Sequence, residues 1–327
     1  MTNKLNKVIM LTGAAAGIAQ QIAIIEKLID HKGLLIDEFD TMLVGSGTGV
    51  LNLLALNACF SPSIDYTLDE YKHDILFPLS NKTLKLNYSI PADISAFRSI
   101  FQKLLDIMHV KRMGDLPFRS FIVTYSHKLA ETVWVDSSDN GNKILDICDL
   151  CLASASIPVL FSPPNIRSRR LHWRNIPTGK YSDSGIAGTF PNFEEYLDIF
   201  YQQGLIQELY IISPMRDHKY SRKQLPSNIQ SFIENNMYNE LLKNYLKHMQ
   251  LKDLEGYLKK IKKLNTAQGK FAEHVYICTP CMEKRFPLLD FENQEKQYQA
   301  VIEWANSNQN LIAIELEKYT SPNTASN

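Results

Sequence analysis

Two short glycine-rich turns concentrate the residues of this sequence that can do chemistry. In Val44-Gly45-Ser46-Gly47-Thr48-Gly49 a serine stands among residues small enough for close backbone approach. A strand entering this turn and a helix leaving it would form a nucleophile elbow, with the N–H of Gly47 offered to a developing oxyanion. The other turn, Thr12-Gly13-Ala14-Ala15-Ala16-Gly17-Ile18-Ala19, places a run of backbone N–H groups before a helix, where partial positive charge favours anions. Two further constellations carry less. Cys148-x-x-Cys151 and Cys278-x-x-Cys281 could together supply four thiolates to zinc. Both lie in apolar helical or strand-like runs rather than polar turns, which suits buried, reduced thiols, so no metal is expected. The eight histidines are scattered without metal-site spacing, and none is given a role.

The elements around the turns follow from hydrophobic periodicity. VIMLTG reads as a buried strand, and the stretch after it carries Ile22, Ile25, Leu28 and Ile29 on one helical face, with Gly33 near the end. FDTMLVGSGTGVLNLLALNACF repeats this order, with a strand to about Val44 and then a helix apolar nearly all round. Strand, turn, helix, repeated twice, predicts an α/β protein whose mostly parallel central sheet carries helices on both faces. RSFIVTY and AETVWVD read as two strands around SHKL, SSDNGNK as a loop, and ELYIISP and HVYICTP as two more strands. Apolar side chains at three- and four-residue spacing from 228 to 263 predict a helical insertion, while TSPNTASN at 320–327 reads as a disordered tail. One domain over 1–319 is expected.

Residues 150 to 191 connect the two turns to a known family. Ala153-Ser154-Ala155-Ser156-Ile157-Pro158-Val159-Leu160-Phe161-Ser162-Pro163-Pro164 resembles the ASxAxPxxFxP block of patatin-like lipid acyl hydrolases. Tyr181-Ser182-Asp183-Ser184-Gly185, followed by Pro191, resembles that family's Asp-Gly-Gly block. The resemblance spans about residues 8 to 192. It implies a three-layer patatin-like fold with a glycine-rich oxyanion loop, then a serine elbow, then a catalytic aspartate. Ser46 would attack a lipid ester with Asp183 as general base, no histidine taking part. The N–H groups of Gly13, Ala14, Ala15 and Gly47 would hold the oxyanion. The implied activity is that of a phospholipase A or lysophospholipase without a cofactor.

Two registers of the elbow are open. Aligning Phe39-Asp40 with the family's Phe-Asp places Ser46 at the nucleophile. Aligning Gly45 and Gly49 with the elbow's Gly-x-Ser-x-Gly instead places Gly47 there, and the chain becomes a catalytically inactive binder of lipid or protein. Two further departures are Ala16, where the family carries Arg or Lys, and Ser184, where it carries Gly. The first turn also resembles the TGxxxGxG opening of short-chain dehydrogenases, which would make the chain an NAD(P)-binding reductase. Those enzymes use a Tyr-x-x-x-Lys pair about 140 residues later, and this chain lacks it there.

Lys plus Arg and Asp plus Glu both number 35, so no global field draws the chain to nucleic acid. Arg167, Arg169, Arg170 and Arg174 offer a local basic surface for peripheral membrane contact. No apolar run reaches the eighteen or so residues of a membrane span, and a cytoplasmic location is expected.

Overall fold

The computed structural model describes residues 6–84, 94–158, 161–168, 176–186, 206–214, 258–263, 271–282, 286–287 and 289–318 of the 327. Strand β1 (Lys7–Leu11) leads into helix α1 (Ile18–Lys32), and β2 (Thr41–Ser46) into α2 (Gly49–Cys59). Then come α3 (Leu68–Tyr71), α4 (Ser95–Met108), the hairpin β3 (Arg119–Ser126) and β4 (Glu131–Asp136), and α5 (Ile147–Ala155). The remaining elements are β5 (Asn165–Ile166), β6 (Gly179–Ser182), β7 (Ile206–Ile212), β8 (Ala272–Cys278), α6 (Gln294–Ser307) and β9 (Ile314–Glu315).

Eight of the strands run in the order β5-β6-β3-β2-β1-β7-β8-β9, and β4 pairs with β3. The core pairings β3-β2-β1-β7-β8 are all parallel. This explains why β1 and β2 read as unbroken apolar runs, since a parallel strand is covered on both faces. From β1 the chain steps to β2 and β3 on one side and later to β7 and β8 on the other. The order therefore reverses between β1 and β7, and in such sheets a crevice opens at the carboxyl ends of the strands.

One face carries α1, α2, α4, α5 and α6 over a core that includes Ile9, Leu11, Leu43 and Ile122. Helix α2 is sandwiched between β2 and helices α1, α4 and α5. Burial all round is why its composition is apolar all round, each Leu or Val contributing roughly 1.5–3 kcal/mol. On the other face Val8, Met10, Met42, Val44, Phe121 and Trp134 form a second core that includes Leu258 and Ile261 from a helical turn at 258–263. The mixed α/β architecture with a mostly parallel sheet is as expected. Of the expected insertion over 228–263, residues 228–257 lie outside the described residues, as does the tail 320–327.

Among the described residues no helix is long and apolar enough to cross a membrane, and no group of three or more His, Cys, Asp or Glu is arranged to hold a metal ion. All five cysteines are free. Burial pushes the Cys148 thiol up to about 11 and the fully buried Cys151 well above its ordinary value, while Cys281 is exposed.

Candidate active site

The register of three strands brings the site together. β2 runs up one edge of β3, and its last residue, Ser46, pairs with Val123. β6 runs down the same edge, because β4 occupies the other, and its last residue, Ser182, pairs with Tyr125. Only Thr124 separates the two partners, and its hydroxyl donates to the Ser182 carbonyl at 2.7 Å. The next residue of each strand, Gly47 and Asp183, therefore meet head-on.

Gly47 turns there with φ +55°, in the left-handed region that favours glycine. A Cβ built on it would stand 3.1 Å from Asp183 Oδ2, 3.5 Å from Oδ1 and 3.0 Å from the Gly13 Cα. The aspartate is 4% exposed, its N–H donates to the Ser156 carbonyl at 2.9 Å, and Oδ1 accepts the Gly185 N–H at 2.8 Å. Gly49 has a different reason to be glycine. A Cβ there would lie 2.7 Å from the Thr12 carbonyl oxygen, too close for α2 to start against the end of β1.

Ser46 is directed elsewhere. A Cβ on Gly45 would meet Leu53 and Val50 of α2, so strand alternation turns the next side chain to the opposite face, with Val44 and Met42. The structure thus brings Gly13, Gly47 and Asp183 together, whereas the expected nucleophile Ser46 closes a strand, 1% exposed, on the other side. Gly47, the residue after Ser46, is the one whose Cα faces the Asp183 carboxylate.

The first turn holds its N–H groups ready by anchoring its carbonyls. Gln21 Nε2 donates to the Thr12 carbonyl at 2.8 Å, Thr48 Oγ1 to Ala15 at 2.8 Å, Gln294 Nε2 to Ala16 at 2.8 Å, and Gly17 N–H to Ala14 at 2.7 Å. Among the described residues the N–H groups of Gly13, Ala14, Ala15 and Gly47 donate to no protein acceptor. These are the four donors expected for an oxyanion, and buried N–H groups rarely stay unpaired without a ligand or water. Ala15 holds φ +47°, a conformation that costs an L-residue roughly 1–2 kcal/mol.

The anchors are themselves buried and tied together. Tyr71 hydroxyl donates to Asn52 Oδ1 at 2.8 Å, and Asn52 Nδ2 donates to Gln21 Oε1 at 2.9 Å and to the Ile18 carbonyl. Full burial holds the Tyr71 phenol well above its ordinary value, so it stays a donor. Gln20 Nε2 donates to Gln297 Oε1 at 2.7 Å, which ties α1 to α6. Gln21, Thr48 and Gln294 were not singled out from the sequence. Glutamines within or beside apolar helical runs were the available signal.

Beside the aspartate, His127 Nε2 lies 3.0 Å from Ser182 Oγ, and burial followed by Lys180 holds this imidazole below its ordinary value. Ser184 Oγ, where the family carries glycine, is buried and unpartnered. Of the basic residues, Arg169, Arg170 and Arg174 lie outside the described residues.

A family model described as patatin-like phospholipase matches residues 10–194, more than half of the chain. The chain belongs to the patatin-like phospholipase family. The matched segment holds both glycine turns and Asp183, whereas Gln294 lies beyond it. Among solved structures, VipD from Legionella pneumophila is similar over 95% of this chain and 68% of that one, at 11% identity and a TM-score of 0.35. No curated protein matches the chain.

Proposed function

We propose that this patatin-like protein binds lipid acyl esters in the crevice between the first turn, the elbow and Asp183, and forms no acyl-serine intermediate at Ser46. One observation carries the reading: the residue set against Asp183 is Gly47, with φ +55° and a virtual Cβ 3.1 Å from Oδ2. Family membership supplies the ligand class. The four unspent N–H groups suit an ester carbonyl or a fatty-acid carboxylate, since both present oxygen acceptors at the head of an apolar chain.

The test is intact-mass spectrometry after incubation with a fluorophosphonate, together with retention of a long-chain fatty acid on the purified protein. The unmodified chain should retain the fatty acid and take up no adduct. Gly47→Ser should acquire one adduct per chain, because its hydroxyl would stand against Asp183. An adduct on the unmodified protein that disappears in Ser46→Ala would overturn this reading and restore a Ser46–Asp183 dyad.

A further inference from the structure

We infer that a groove near the amino-terminal end of the sheet docks a basic amphipathic helix of a partner protein. This assignment is independent of the lipid reading, because the groove lies toward the end of the strands away from the glycine turns.

Its place follows from the topology. β1 and β2 run in parallel toward the turns, so the helices after them run back, and α1 and α2 end near the amino-terminal edge of the sheet. There the last turns of α1, the end of α2, the start of α3 and the middle of α6 surround a cavity of about 560 Å³ that opens to solvent. Its apolar wall is Ile29, Phe60, Leu68 and Ile302. Each packs against the main core and stays half-buried, so part of each side chain is left for another surface. The loop from α1 to β2 adds Leu35, 72% exposed, and Phe39, 58% exposed. Ser61 Oγ donates to Glu38 Oε2 at 3.1 Å, which ties this loop to the segment after Phe60. Single exposed apolar side chains are ordinary, whereas several beside an apolar groove mark an interaction surface.

Charge selects the occupant. Residues 26–40 and 59–72, which supply most of the groove, hold eight carboxylates and three lysines in a chain with 35 acidic and 35 basic residues overall. Lys27 is paired with Asp30 at 3.4 Å, and Lys72 with Glu26 at 2.8 Å and Asp69 at 2.7 Å. Asp65 and Glu70, exposed on either side of Thr67 and Leu68, carry the surplus. Such a rim repels an anionic bilayer and attracts a basic partner. A fatty acid is a poor occupant, since its carboxylate would face Glu26 and Asp30 in the lining. A helix with apolar residues at i, i+3, i+4 and i+7 and Lys or Arg on its flanks satisfies both the apolar wall and the acidic rim.

The test uses the full chain and a fluorescein-labelled peptide of leucine and lysine, with leucine at that spacing and about 18 residues, long enough to be helical alone. A second peptide carries glutamate in place of lysine. By fluorescence anisotropy the lysine peptide should bind and the glutamate peptide should not. Asp30→Lys should weaken binding about three- to ten-fold, because it turns attraction at the rim into repulsion. Ile302→Gln sets an amide in the apolar wall and should weaken it about ten-fold. If that variant does not fold, Phe39→Ser, on an exposed side chain, takes its place. Glu131→Lys, an equal change of charge at an exposed position of β4, should leave the affinity unchanged.

Four results overturn the proposal. The lysine peptide does not bind, or Glu131→Lys weakens it as much as Asp30→Lys does, which reduces the effect to overall charge. Unchanged affinity in the folded apolar-wall variant moves the peptide out of the groove. Sedimentation of the chain alone as a dimer that Asp30→Lys dissociates assigns the groove to a second copy. Fatty-acid retention is unaffected by any of these outcomes, so the two readings fail separately.

Discussion

The two glycine turns at the carboxyl ends of β1 and β2 have diverged. The first is defined by its main chain. Each of its carbonyls from Ala14 to Ala16, and that of Thr12, has a donor, and among the described residues the N–H groups of Gly13, Ala14 and Ala15 are unspent. The second keeps the sharp backbone and the opposing aspartate, but the residue between them has no side chain. Binding parts and bond-forming parts are therefore separable in this fold. A loop built from main-chain groups depends on its anchors, whereas a nucleophile depends on one side chain.

The largest effect expected is on the second turn. In Gly47→Ser the rate of fluorophosphonate labelling should fall by about 10²–10⁴-fold when Asp183→Asn is added, because the hydroxyl loses its base. Equal rates would mean that the aspartate and the elbow no longer act as a pair.

Next comes the first turn. Gln21→Leu strips the Thr12 carbonyl of its donor and leaves one of the two Asn52 Nδ2 hydrogens without an acceptor, the other staying on the Ile18 carbonyl. With each stranded buried group costing about 1–3 kcal/mol, the loss should be roughly 3 kcal/mol in a urea titration. A smaller effect is expected from Gln294→Leu, about 1–2 kcal/mol, since one loop carbonyl loses its donor. This variant should also weaken fatty-acid retention. Lys296→Ala, on an exposed position of the same helix, should stay within about 0.5 kcal/mol of the unmodified protein. Unchanged retention in Gln294→Leu would show that the first turn holds its shape without α6.

The smallest effect concerns pH. The His127 imidazole lies below its ordinary value in the folded protein, so protonation favours the unfolded chain. Its contribution to stability is complete above about pH 6.5, the unfolded value, and is lost as pH falls through the lower folded one. An imidazole titration by NMR should give a midpoint below that of the unfolded chain. His127→Gln should flatten the urea midpoint across the same interval.

How much was legible in the sequence follows from where polarity sits. β1, α1, β2 and α2 were readable because their buried positions are apolar and their turns are glycine-rich. Helix α6 was not, because its buried positions are Gln294, Gln297, Val301 and Ala305, and two glutamines in the stripe mask its periodicity. β6 spans only four residues and was missed for its brevity, although it delivers Asp183. The elbow was ambiguous for a different reason. Small residues and glycines run unbroken from Gly45 to Gly49, so either Ser46 or, after a one-residue slip, Gly47 can be set at the apex. Only the backbone, through the alternation of β2 and the positive φ of Gly47, distinguishes the two registers.

The place of β1 has a consequence for how the chain is made. It lies at the centre of the sheet, yet one neighbour is β7, and the Thr12 hydroxyl that bonds Ile212 is 200 residues from it in sequence. At ordinary ribosomal speeds of about 5–20 residues per second, that neighbour emerges roughly 10–40 s after β1. Until then an apolar strand shows an open edge, a template for pairing with another nascent chain. The middle of the finished molecule is thus its most vulnerable part during synthesis, and a holding chaperone would act in that interval.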